Sequence, residues 1–179
     1  MSLTVQDLLH LHTIDGNLRT INPGRLYHCD RNTDKIYEID PDTLLDISSG
    51  GVNSPSSTPR GIGGTATRLY NCDFNTGKIY EIDPDTLLDI SSGGVNSPST
   101  SPAGIGGTAT RLYHSDINTD KIYELDPDTF LDISSGGVNS PSTSPYGIGG
   151  TATRLYSCDY NTDKIYEHDP DTLLDISSG

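Results

Sequence analysis

The sequence is short of several residue types, and each shortage narrows the class of protein. It has no tryptophan, one methionine and two phenylalanines, and only 32% of its residues are hydrophobic. It shows neither an apolar run of about 18 residues nor a charged-then-apolar leader. We therefore expect a soluble protein with no membrane-spanning segment and no signal peptide, and the compartment stays open.

Basic residues are also scarce. Eleven Lys and Arg stand against 25 Asp and Glu, which gives a formal net charge of −14. That balance disfavours nucleic acid or an anionic membrane as a partner and suits cations or basic partners better. Part of the acidity has a simpler origin, because many Asp residues stand where a side chain caps its own turn.

What the sequence does have is internal repetition. The motif R-L-Y recurs at residues 25, 68, 111 and 154, at a spacing of 43 residues. Each copy continues through K-I-Y-E or its equivalent, then D-P-D-T, and then L-D-I-S-S-G. A fixed period of this length indicates stacked repeats, each of which adds a thin apolar layer to a shared core.

Cysteine adds little to the prediction. Cys29, Cys72 and Cys158 occupy one repeat position, and Ser115 stands there in the third repeat. Equivalent residues on neighbouring repeats should lie farther apart than the ~5.5–6 Å Cα separation of a disulfide. We interpret them as free thiols in packed strands, compatible with a reducing compartment.

The residue pattern of the second repeat is typical of four short strands. Residues 61–65 form a glycine-rich strand suited to an axis, and residues 68–73 and 78–83 alternate in polarity. We expect the fourth strand at residues 87–91, followed by a surface connection over residues 92–102. Four antiparallel strands and a long return loop in each repeat are the blade pattern of a β-propeller.

The order P-x-G-I-G-G-T, R-L-Y-x-C-D and N-T-D-K-I-Y-E-I-D-P-D-T resembles the NHL, YVTN and PQQ-like propeller repeats. The resemblance covers residues 25–179. It implies the architecture but not the activity, because these families include lectins, scaffolds, receptors and several enzymes.

The predicted fold class is therefore all-β, a propeller with four blades of four antiparallel strands. We expect the innermost strand of the first blade at Leu18–Ile21, and an extra strand or short helix over residues 8–12. The predicted divisions are an N-terminal extension over 1–17 and blades over approximately 18–58, 59–101, 102–144 and 145–179.

A turn of the form D-x-N-x-D or D-x-N-x-G begins at residues 30, 73, 116 and 159. Oxygen side chains at alternate positions are typical of the start of a calcium loop, but the Gly at position six and the Glu at position twelve are missing. The alternative is a hairpin turn capped by its own Asp, which Gly77 in place of the last Asp supports. We favour the turn and no metal or cofactor, and keep calcium as the alternative.

Histidines follow no ligand pattern: they are His10, His12, His28, His114 and His168. His10 and His12 would share a strand face but have no third ligand. His28 and His114 stand at the position of Asn71 and Ser157, so imidazole is not required there. No nucleophile, base and orienting group can be assembled, which favours a binding protein over an enzyme.

Two loops vary between repeats, one after the second strand and one before the innermost strand. In a propeller they emerge on one face near the axis, where the resemblance implies that ligands bind. Alternatively they are loop tips that tolerate change. The predicted ligand-binding face is Arg31, Phe74, Ile117, Tyr160, Arg60, Ala103 and Tyr146.

The predicted function is a non-catalytic binding or scaffold propeller that recognises a protein or glycan through this loop face. The alternative is a cation-dependent or enzymatic propeller with its ligand in the central channel. A closed four-bladed monomer and an eight-bladed ring of two chains both fit the repeat. The monomer is favoured because one chain can supply every strand type.

Overall fold

The computed structural model describes residues 24–177, and in that range every regular element is a β-strand. No helix long and apolar enough to cross a membrane occurs there. Predictions for residues 1–23, including the innermost strand at Leu18–Ile21 and the element over residues 8–12, fall outside the described range.

The strands form four antiparallel sheets, which we number as blades in chain order. Blade 1 holds β1–β3, blade 2 holds β4–β7, blade 3 holds β8–β11 and blade 4 holds β12–β14. In chain order the strands are β1 Leu26–Asp30, β2 Lys35–Ile39, β3 Val52–Asn53, β4 Pro59–Gly64, β5 Leu69–Asp73, β6 Lys78–Ile82, β7 Val95–Asn96, β8 Pro102–Gly107, β9 Leu112–Asp116, β10 Lys121–Leu125, β11 Val138–Asn139, β12 Pro145–Gly150, β13 Leu155–Asp159 and β14 Lys164–His168.

Strand order within a blade follows the chain, with β4, β5, β6 and β7 side by side in blade 2. Leu69 pairs with Ile82 and Cys72 with Ile79, so apolar residues lie opposite each other across β5 and β6. All four of these side chains are buried. Cross-strand pairs of this kind set the register of the blade.

The predicted position of the fourth strand was wrong. Residues 87–91 touch their blade through a single bridge between Ile82 and Asp89, and the fourth strand is Val95–Asn96, paired with Ile79 and Lys78. Leu87 has a φ of 59°, a left-handed conformation that ends an extended strand. Its amide donates to the Asp83 carbonyl, so the backbone closes a turn there.

The same correction applies to the last blade, where residues 173–177 contribute only a bridge between His168 and Asp175. Blade 4 therefore has three strands within residues 24–177, and so does blade 1. Blades 2 and 3 each have the four strands that the repeat predicts.

Neighbouring blades share one apolar core at each contact. Between blades 2 and 3, Tyr70, Cys72 and Ile79 pack with Leu112 and Phe130 in a cluster of buried side chains. Tyr70 meets the edge of Phe130 with 5.6 Å between ring centroids. Equivalent clusters join blade 1 to blade 2 and blade 3 to blade 4. The core thus lies between blades.

At each of these contacts an arginine forms hydrogen bonds and ion pairs within its own blade and with the next blade. Arg68 donates to both carboxylate oxygens of Glu81 in its own blade, at 2.7 Å, and to Asp128 of the next blade at 2.5 Å. The Tyr70 hydroxyl donates to the Pro127 carbonyl, also in the next blade, at 3.1 Å. The network fixes how one blade is seated on the next.

Glycine allows the innermost strands to approach one another closely. A Cβ on Gly63 would lie 2.5 Å from the Ile105 carbonyl oxygen of the next blade, and one on Gly106 would lie 2.5 Å from that of Ile148. Those separations are too short for any side chain, so the G-I-G-G motif is a packing requirement.

His114 is fully buried inside blade 3 and holds the return loop. Its Nε2 lies 3.0 Å from the hydroxyls of Ser97 and Ser99, and its Nδ1 lies 3.4 Å from the Gly104 carbonyl. Burial lowers the pKa of His114 to about 4, so the ring is neutral at pH 7. Asn71 makes the matching bond to Gly61 in blade 2.

We expect stability to fall between pH 6.5 and about 4, because the unfolded chain protonates His114 while the folded chain does not. The stabilisation is fully present above the unfolded pKa and is lost as the pH falls towards the folded one. The loss is on the order of 3 kcal/mol. Urea unfolding across this range measures it. His114→Asn should flatten the slope, and an unchanged slope would contradict the assignment.

Candidate functional site

The β5–β6 turn and the innermost strands meet at Arg60. The second variable segment was predicted as a loop before the innermost strand, but Arg60, Ala103 and Tyr146 lie within β4, β8 and β12. The guanidinium carbon of Arg60 lies 3.8 Å from the centre of the Phe74 ring and 5.2 Å from that of Tyr146 in blade 4. Nε and Nη1 of Arg60 are buried and have no hydrogen-bond partner in the structure. A cation held between aromatic rings gains about 0.5–2 kcal/mol, but the two donors remain unsatisfied.

Tyr160 extends this group of side chains outward. Its ring lies 5.7 Å from that of Tyr146, at an angle of 38°. Tyr160 is 72% exposed and Tyr146 is 37% exposed, so both present apolar ring surface together with a hydroxyl. We call Arg60, Phe74, Tyr146 and Tyr160 the Arg60 cluster.

The structure unites part of the predicted face and leaves the rest apart. Ala103 is buried and lines the same cavity as Arg60 and Tyr146. Arg31 is exposed in the β1–β2 turn, and no ring contact or ion pair within residues 24–177 joins it to the Arg60 cluster. Ile117 is half-buried and its amide donates to the Ser101 carbonyl at 3.4 Å.

A cavity of about 400 Å³ lies where the innermost strands meet. Strands β4, β8 and β12 each contribute three consecutive residues to it, beginning at Arg60, Ala103 and Tyr146. Arg60 is the one Lys, Arg, Asp or Glu among the described lining residues, so the cavity carries a single positive group in an acidic protein.

The cavity also takes in four residues that lie outside the predicted ligand-binding face: Tyr27, His28, Cys29 and Cys158. They reach it from β1 and β13, the strands next to the innermost position in blades 1 and 4. The repeat pattern contained no signal for them, because their equivalents in blade 2 are fully buried. Burial raises the pKa of Cys29 to about 11, so its thiol is not a thiolate at neutral pH.

The D-x-N-x-D turns hold their first Asp as a cap. Asp116 Oδ1 accepts from the amides of Asn118 and Thr119 at 2.9 and 2.8 Å, and Oδ2 accepts from Ser101 at 2.7 Å. Burial would raise the pKa of Asp116, but hydrogen bonds from Ser99 and these groups keep it below its ordinary value. No group of three metal-ligating side chains is found within the described range.

The other buried histidine is structural as well. His168 Nε2 lies 2.7 Å from the Ser157 hydroxyl, and its Nδ1 lies 3.1 Å from the Leu173 carbonyl. Both side chains are buried within blade 4, and neither lines the cavity that contains Arg60. Burial lowers the pKa of His168, which keeps its ring neutral at pH 7.

No protein-family model and no curated protein sequence matches this chain. Solved structures do. Glutaminyl cyclase from Myxococcus xanthus matches with a TM-score of 0.66 and 15% identity, over 83% of this chain and 63% of that one. A nidogen–laminin complex matches with a TM-score of 0.60 and 19% identity, over 87% and 59%. Virginiamycin B lyase from Staphylococcus aureus matches with a TM-score of 0.50 and 18% identity, over 82% and 52%.

These similar structures are β-propellers, and the predicted propeller fold is confirmed. The blades here are the four antiparallel sheets, and the cavity lies at the axis. The chain spans about 60% of the length of the first two structures. At this identity the likeness shows the fold alone.

We predict that Asp116→Asn destabilises the protein by roughly 1–3 kcal/mol, because an amide cannot accept from donors on both sides. Urea unfolding with calcium and with EDTA measures the change, which should be the same in both. Asp120→Gly is the matched control. Its backbone has a φ of 56° and Gly77 occupies that position in blade 2, so stability should hold. Calcium-dependent unfolding would contradict the turn assignment.

Proposed function

We propose that this propeller is a binding module that recognises a protein or glycan through its loop face, with the Arg60 cluster at the centre of contact. The observation that carries the proposal is the pair of buried, unsatisfied donors of Arg60, a residue that lines the axial cavity. Buried polar groups are almost always paired, so an acceptor from a ligand would complete them.

The surrounding residues supply the rest of a contact surface. Tyr146 and Tyr160 present rigid rings whose faces can cover apolar surface, while their hydroxyls stay polar. Arg and Tyr are the residue types in which binding energy concentrates. The innermost strands hold Arg60 and Tyr146 in place, so little conformational freedom is lost on binding.

The net charge of the chain and the charge of Arg60 together limit the chemical class of the ligand. The chain carries a net charge of −14, which repels strongly anionic surfaces at long range. Arg60 calls for a local acceptor, such as a carbonyl, a hydroxyl or one carboxylate. A neutral or basic protein surface with one acceptor, or a glycan with hydroxyls and an apolar ring face, meets both conditions.

The cavity itself favours a second candidate, a small ligand at the axis. Its volume of about 400 Å³ lies within the ~300–1,000 Å³ of small-molecule pockets. This candidate includes the cation-dependent and enzymatic alternatives, and it predicts that binding depends on cavity residues such as Ala103 rather than on Tyr160.

The experiment is a quantitative binding screen on glycan and peptide arrays, followed by titration of any ligand found. Arg60→Ala should weaken binding at least ~10-fold, the scale of a hot-spot residue. Tyr160→Ala should also weaken it. Ala103→Leu should matter more than Tyr160→Ala if the ligand occupies the cavity.

Two controls separate binding from folding. Ala103 occupies the same repeat position as Arg60, so Arg60→Ala should fold with nearly unchanged urea unfolding. Arg31→Ala removes the same charge outside the Arg60 cluster and should weaken binding much less. Equal losses for Arg60→Ala and Arg31→Ala would point to net charge and contradict the proposed contact.

A further inference from the structure

Contacts between blades repeat along the chain with one register. Arg25 donates to Asp85, Arg68 to Asp128 and Arg111 to Asp171, in each case 60 residues ahead. The tyrosine two residues after each arginine reaches a proline carbonyl in the same next blade. Each blade thus carries a forward face, which holds the arginine and tyrosine, and a rear face, which receives them.

The forward face of blade 4 meets no other blade within residues 24–177. Arg154 contacts Glu167 at 3.2 Å and the Tyr156 hydroxyl at 3.1 Å, and no second carboxylate among residues 24–177 pairs with it. Ile165 is 73% exposed, whereas its equivalents Ile36, Ile79 and Ile122 are fully buried. Cys158 is exposed as well.

The innermost strand of blade 4 is open in the same way. A Cβ on Gly149 would meet nothing within 4 Å, while one on the equivalent Gly106 would collide with blade 4. The backbone of β12 is therefore shaped for a neighbouring blade that no described residue supplies.

Blade 1 shows the complementary rear face. Leu44 is 69% exposed, while its equivalents Leu87, Phe130 and Leu173 are buried in the three internal contacts. Leu26 is 43% exposed although the leucines at its repeat position are buried. Asp42 stands at the repeat position of Asp85, and no arginine within residues 24–177 contacts it.

We propose that the forward face of blade 4 docks on the rear face of blade 1 in a second copy of this chain. Arg154 then pairs with Asp42, the Tyr156 hydroxyl donates to the Pro41 carbonyl, and Ile165 packs against Leu26 and Leu44. The arginine–aspartate and tyrosine–carbonyl contacts already exist three times within the chain at the same repeat positions. The packing of the isoleucine also occurs three times, with Phe130 in place of the second leucine between blades 2 and 3.

Two copies close the ring. Propellers have about 4–8 blades, so two chains of four blades reach eight, and a third chain exceeds the usual size. Both forward faces then meet both rear faces about a twofold axis, and no apolar face stays open. The proposal concerns the blade ends and is independent of the Arg60 cluster.

Sedimentation velocity at low micromolar concentration tests this on the full chain. The expected mass is twice the 19.2 kDa of one chain. Ile165→Glu and Leu44→Glu should each raise the dissociation constant roughly 100-fold or more, because each buries an unpaired charge at the contact. Both positions are exposed within one chain, so circular dichroism should show unchanged folding.

Mixing the two variants gives the sharpest result. Ile165→Glu keeps an intact rear face and Leu44→Glu keeps an intact forward face, so an equimolar mixture should regain a dimer through one contact. Arg31→Glu, in a turn outside both faces, is the control and should leave the mass doubled.

A mass of 19.2 kDa for the unaltered chain would overturn the proposal. A doubled mass that survives Ile165→Glu and Leu44→Glu would also overturn it. So would a mixture that stays monomeric, since head-to-tail docking requires the two intact faces to meet.

Discussion

The fold depends on the packing of one sheet against the next. No blade could bury its own apolar residues, because a single sheet has no second layer to cover Ile79 or Tyr70. Burial between blades supplies about 1.5–3 kcal/mol for each such side chain. A chain that is only 32% hydrophobic can fold because its buried apolar residues recur at these contacts in every repeat.

The polar contacts between blades contribute less to stability than the apolar contacts beside them. The interblade aspartates Asp85, Asp128 and Asp171 are 72%, 85% and 86% exposed, and such ion pairs contribute about 0–1 kcal/mol. Their contribution is to orient one blade relative to the next. The Arg68–Asp128 pair and the Tyr70–Phe130 contact join the same two blades, so the ion pair favours the register that the apolar cluster stabilises.

Sequence reasoning reached the period, the all-β propeller, and the first three strands of a blade, because these follow from alternation and from turn residues. It misplaced the fourth strand for a local reason. The left-handed backbone at Leu87 turns that side chain into the interblade core while Leu88 and Ile90 stay exposed, and hydrophobicity alone does not show this.

At the candidate site, comparing repeats picked out Arg60, Phe74, Tyr146 and Tyr160. It did not show that Arg31 would lie apart, because repeat position does not show which blades bring these side chains together near the axis.

The acidity of the chain follows from its architecture. In blade 2, Asp73, Asp83 and Asp89 each accept backbone amides within their own turns, and other repeats reuse most of these bonds. A carboxylate that already accepts two or three amides has little capacity left for a cation. Repeating such turns four times therefore accumulates negative charge. Arg60 differs from this background because its Nε and Nη1 are buried without a hydrogen-bond partner, and for that reason our proposal places the ligand at the axial cavity and not at the acidic turns.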